Sequence, residues 1–149
     1  MDLRDILLTL HIFIALVTVG WLTMQAMLLP RAIRDGNTAA VRFSNSAAKK
    51  IGPLSILVYV LGLALVLRKK DDYAEFAHTW VNISMLLFIV ALVIGAVFIN
   101  RTEKAALAKL EAGQQAPDEA KRVAMLGGIN VLLLATIVWL MVDKPGIGG

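Results

Sequence analysis

Two histidines and the polar residues spaced around one of them are the groups in this chain best suited to hold a metal or a cofactor. If a helix begins by about Asp71, then Asp71, Glu75, His78 and Asn82 share one face at i, i+4, i+7 and i+11, and Met85 continues it. Carboxylate, imidazole, amide and thioether then line up. His11 lies near the corresponding end of another apolar stretch, so His11 and His78 would reach a comparable depth and approach each other between helices. Two imidazoles suit bis-histidine ligation of haem b, and His11 and His78 with Glu75 or Met85 suit copper. The competing reading is structural. A histidine at a membrane interface often only hydrogen-bonds a neighbouring helix or a headgroup, and Trp80 beside His78 is an ordinary interfacial anchor. Glu75-x-x-His78 is half of the pattern used by di-iron bundles, but a second copy is needed, and Leu8 stands three residues before His11.

Other chemistry lacks its residues. The sequence has no P-loop, no zinc-protease helix and no G-x-S-x-G elbow. It has no cysteine, which excludes disulfides, thiolate metal sites and cysteine nucleophiles. No Asp, Glu, Lys or Arg falls in the middle of an apolar stretch, where proton- and ion-coupled transporters place their ionisable groups. The expectation is a protein that is not an enzyme and needs no cofactor, with haem b or copper as the alternative. Gln25, Asn82, Asn130 and Thr136 read as polar glue between helices, and the same residues could line a lipid or quinone groove.

The elements that must position these groups are four apolar stretches, at residues 5–29, 51–67, 79–99 and 123–142. Each is near the ~20 residues needed to cross ~30 Å of hydrocarbon as a helix. With 58% hydrophobic residues in 149 and a mean hydropathy of +0.74, the chain has little left for a soluble domain. The expected fold is all-α: one domain over residues 1–149, four transmembrane helices in an up-down bundle. The first stretch runs about 25 residues to Pro30-Arg31 without a small-x-small cleavage pattern, so it reads as a retained helix and not a signal peptide. The net charge of +4 comes from cations flanking the spans and forms no aromatic-interleaved groove, which argues against nucleic acid. Ten of the fifteen basic residues fall in the first and third loops. The positive-inside rule then puts those loops in the cytoplasm and both termini outside.

Local signals fill in the loops. Asp35-Gly36-Asn37 is a turn cluster, and residues 38–50 have a helix-compatible pattern leading into the second span, with Gly52-Pro53 bending it. Residues 102–112 are rich in helix formers, which predicts that the third helix continues beyond the bilayer to Gly113. Pro117-Asp118-Glu119 then starts the last helix, with proline early and acids in its first turn. Helix faces follow from spacing. His11, Thr18 and Gln25 recur every seven residues and make a polar stripe that should face protein. Gly52, Ser55, Tyr59 and Gly62 make a small face on the second span, Ala91 and Gly95 one on the third, and Ala124 and Gly128 one on the fourth; all read as packing seams. Ala48-Lys49-Lys50-Ile51 and Ala120-Lys121-Arg122-Val123 both precede a returning span, so the chain reads as two related helical hairpins.

Leu10-His11-Ile12, then Val19-Gly20-Trp21, the basic loop after Pro30-Arg31, and a closing Trp139-Leu140-Met141-Val142-Asp143-Lys144-Pro145 resemble the CopD-like and related uncharacterised four-helix bacterial membrane proteins. The resemblance spans most of the chain. It implies a plasma-membrane location and a link to copper or haem, with His11 the matching position. Together these readings predict a non-catalytic integral membrane protein, a structural or accessory subunit of a larger complex such as a respiratory one. Its partners would be the bilayer and either other membrane subunits or further copies of itself. The alternative is a haem b or copper protein using the outer-side histidines.

Overall fold

The computed structural model describes residues 2–67 and 79–143. Among them are four helical rods: α1 (Leu3–Arg34), α2 (Thr38–Leu67), a third rod in three parts, and α5 (Pro117–Asp143). The third rod is α3 (Thr79–Val93), a π-helical segment (Ile94–Ile99) and α4 (Asn100–Glu111). All four rods are long and apolar enough to cross a membrane. At 1.5 Å per residue the 32 residues of α1 span about 48 Å, so each rod outruns a ~30 Å hydrocarbon core.

The two tight connections follow the turn chemistry of their sequences. Gly36 (φ +66°) and Gly113 (φ +73°) adopt the left-handed conformation that ends a helix cheaply only at glycine. Asn37 N–H then bonds Ala32 O at 2.9 Å, and Gln114 N–H bonds Lys109 O at 2.9 Å. Asn37 also caps the helix that follows, its Oδ1 accepting from Ala40 N–H at 3.0 Å. The expected extension of the third helix to Gly113 and the start of the last at Pro117 are both present. One boundary differs: α1 does not stop before Pro30 but continues to Arg34. Proline removes one intrahelical hydrogen bond, and the burial of Leu29, Pro30 and Ile33 on one face outweighs it.

The connections place both hairpins at one end of the bundle, called here the basic end. Packing is densest there, where Leu29, Ile33, Val41, Ile99, Ala106, Leu110, Ala116, Ala120 and Val123 form one buried cluster drawn from all four rods. Arg42 bonds Glu111 at 2.7 Å and Lys109 pairs with Glu119, so α4 is tied to α2 and to α5. Both pairs reach solvent on at least one side and add at most about 1 kcal/mol each. Farther along, α1 packs along α2 and along α5, and α3 packs on α5, while α2 and α3 barely touch. The bundle is closed at the basic end and parted between α2 and α3 above it. Its outer surface is apolar, with Leu16, Leu132 and Val142 each at least 70% exposed, as a lipid-facing wall requires.

Candidate functional site

The parting between α2 and α3 forms a sideways-opening groove of about 500 Å³. Ala48, Gly52, Ser55 and Ile56 wall it on α2, and Ala91, Gly95, Ala96 and Val97 on the third rod. Small side chains leave the space. Trp21 and Leu22 of α1 and Leu134 of α5 form its back. At its far end Tyr59 stacks on Phe88, ring centroids 6.0 Å apart. At its basic end stand Gln25, Lys49, Asn100 and Glu103.

Glu103 is fully buried, a cost that a carboxylate incurs only where something is gained. Ser44 hydrogen-bonds it. The Gln25 amide donates to Ser44 Oγ at 3.3 Å and reaches Glu103 Oε2 at 3.5 Å, the outer limit of a hydrogen bond. Oε1 has no partner, and neither does the buried amide nitrogen of Asn45 beside Ser44. The cluster is therefore a polar end wall with one carboxylate oxygen uncommitted. A second, water-sized void of about 10 Å³ lies behind it between Gln25, Gly127 and Asn130. Asn130 Oδ1 is buried without a partner there, so one water has the room and the polar neighbours it needs.

The π-helical segment is what brings Glu103 inward. In an uninterrupted helix, twelve residues carry Glu103 about 120° away from the face of Ala91. One extra residue in the turn takes back about 100° and leaves the two nearly aligned. Asn100 N–H bonds Gly95 O, five residues back, which marks the wide turn. Sequence reasoning treated residues 102–112 as helix formers and missed Glu103. The signal that points to it is Gln25, whose place on a buried stripe demands a polar partner at matching depth.

The polar stripe of α1 does face protein. Thr18 is buried. His11 Nδ1–H donates to the Val58 carbonyl of α2 at 3.0 Å, and the ring lies on Gly62, where a Cβ would stand 3.1 Å from His11 Cε1. Asp71, Glu75 and His78 lie outside the described residues, so their place relative to His11 does too; Met85 is half-buried on α3. Among the described residues no three histidine, cysteine, aspartate or glutamate side chains cluster as a metal site would require.

The small faces divide. Gly62 admits His11, Ala91 is buried, and Gly95 lies under Leu22 and Asn130. Ser55 is buried, but Gly52 meets no neighbour within 4 Å and opens on the groove. The fourth-helix seam is not a contact within this chain among the described residues. Ala124 and Gly128 are exposed, and Gly128 has nothing within 4 Å. The close approach is made one residue earlier, by Gly127 against Ala26, because the buried face runs through Ala120, Val123, Gly127, Asn130 and Leu134.

A family model described as a predicted integral membrane protein, DUF2269, matches residues 5–145, and the chain belongs to that family. No curated protein and no solved structure matches it.

Proposed function

We propose that this integral membrane protein is a non-catalytic accessory protein of the bacterial plasma membrane, a subunit of a larger assembly of respiratory type, that holds a membrane amphiphile in its lateral groove. The observation that carries the reading is the groove itself. It opens toward lipid, it is apolar along its length, and it ends in polar groups at one depth. Its volume falls in the 300–1,000 Å³ range of small-molecule sites.

Filling the groove tests this. Gly52→Phe places a ring in open space, so the bundle should keep its thermal stability. The amphiphile that survives purification in mild detergent, measured by mass spectrometry of extracted lipid, should fall several-fold. Unchanged retention would sink the reading.

The same reading sets the orientation as N-out and C-out, on the weight of the basic residues on the helix ends that flank the two tight connections. Cysteines at Asn37 and Gln114 should then be labelled only by reagents that reach the cytoplasm, and cysteines at Asp2 and Asp143 by impermeant reagents from outside. The reverse pattern would invert the protein.

One observation favours a second reading, haem b or copper binding. The Nδ1–H bond to Val58 fixes the His11 tautomer and leaves Nε2 with its lone pair, the arrangement typical of a ligating histidine. The CopD-like resemblance, in which His11 is the matching position, points the same way. On the accessory reading, the purified protein shows no Soret band and no stoichiometric copper. A band or bound copper that disappears in both His11→Ala and His78→Ala would establish the second reading instead.

A further inference from the structure

Resting on the groove reading above, we propose that the amphiphile is a phospholipid with a primary-ammonium headgroup, its ammonium received by Glu103 and its phosphate by Lys49. Three features of the site support this.

The first is depth. Lys49 and Lys50 on α2 and Arg101 on α4 are the first cations past the apolar spans, which places the lipid headgroup layer at their level. Glu103 and Asn100 lie beside that level, at the end of the groove. A headgroup of the leaflet at the basic end meets them without leaving its own layer.

The second is length. From Glu103 to Phe88 the third rod rises about 22 Å. One leaflet supplies about half of a ~30 Å hydrocarbon core. An acyl chain that starts at the headgroup layer can therefore lie along Val97, Ala96, Gly95 and Ala91 and stop before the Tyr59–Phe88 stack.

The third is charge. Glu103 is fully buried at the end wall with its Oε1 uncommitted, so an ammonium meets it only as the side chains of that wall move aside. Lys49 is exposed at the rim. An anion inside and a cation at the rim complement a headgroup that carries phosphate outermost on the glycerol and ammonium beyond it. A primary ammonium also supplies N–H donors for Oε1 and for the Ser44–Gln25 pair, whereas a trimethylated ammonium supplies the charge without the donors.

The experiment uses delipidated full-length protein in detergent, titrated with phosphatidylethanolamine, phosphatidylcholine, phosphatidylglycerol and a quinol, the phospholipids carrying the same acyl chains. Bound lipid is read by native mass spectrometry. The wild-type protein should prefer phosphatidylethanolamine to phosphatidylcholine about tenfold, the worth of one charge-assisted hydrogen bond. Glu103→Gln should bring the two to parity, and Lys49→Gln should weaken all three phospholipids together. Equal binding of the first two lipids by the wild-type protein, with Gly52→Phe still lowering both, would overturn the headgroup assignment and leave the groove reading standing. A preference for phosphatidylglycerol or for the quinol would overturn it as well. If Gly52→Phe lowers nothing, the groove reading falls and the headgroup assignment with it.

Discussion

Gly127→Leu is expected to prevent assembly of a stable bundle, while Gly128→Leu, one residue away, leaves the folded monomer intact. At Gly127 a Cβ would stand 2.9 Å from Ala26 Cβ and 3.1 Å from Ala26 Cα. The second atom is backbone and cannot swing aside, so even a methyl group forces α1 and α5 apart. Those two rods share one of the longest interfaces in the molecule, and Pro30 and the basic-end cluster lie just beyond it. A leucine at this crossing should cost about 3 kcal/mol or more, because it overpacks the crossing and separates the apolar surfaces on either side of it. At Gly128 nothing lies within 4 Å. Exposed sites of this kind respond within about 0.5 kcal/mol. Thermal unfolding in detergent reads the difference directly: equal destabilisation at both glycines would move the α1–α5 interface. Should Gly128→Leu also reduce the size of the particle in mild detergent, that exposed small-residue seam is where a further membrane helix of the assembly packs.

How far the sequence led is clearest in α5 itself. Its limits were readable, because proline and two acids open it and a long apolar run follows. Its buried face was displaced by one residue, because Ala124-x-x-x-Gly128 and Ala120–Val123–Gly127 are both small and both fit a helix seam. Composition cannot choose between two such stripes. What chooses is the partner, Ala26, which sits one turn before Pro30 on a helix whose own end the sequence placed too early.

The site shows a different limit. His11, Thr18 and Gln25 announced a protein-facing stripe by their spacing, and the structure puts His11 on Gly62 and Gln25 on Ser44. Glu103 gave no such notice. It lies among Lys104, Ala105 and Ala106 in what reads as a solvated helix, and only the wide turn at Ile94–Ile99 rotates it inward. A π turn has no reliable sequence signature, and here it falls where Gly95 lies against Asn130 of α5. A groove was raised as a use for Gln25, but its walls were hidden. Gly52, Ala91 and Gly95 were read as seams that draw backbones together, yet Gly52 faces open space, because α2 and α3 are held apart by the rods behind them.

The buried carboxylate supports a prediction whose sign separates function from packing. Glu103→Gln is expected to raise the apparent Tm of the lipid-free protein, by the few degrees that correspond to about 1–2 kcal/mol. The side chain is fully buried and one of its oxygens has no donor, so in the absence of ligand the folded state carries an unmatched polar atom whose desolvation costs about 1–3 kcal/mol. An amide of the same shape keeps a carbonyl to accept from Gln25 and leaves its nitrogen in the unmatched place of Oε1, so the gain is the lost cost of burying a charge. Replacing a poorly compensated buried charge with a neutral group of similar volume is commonly neutral to stabilising. Glu111→Gln serves as the control, because that carboxylate meets Arg42 at the surface and its loss should lower stability, by at most about 1 kcal/mol. A residue kept in a form that weakens the fold is one the protein uses, and ligand-free stability is where that use becomes measurable. A clear fall in Tm for Glu103→Gln would show instead that the carboxylate anchors α4 to α1 and α2 as charge, and the end wall of the groove would then be a structural clamp.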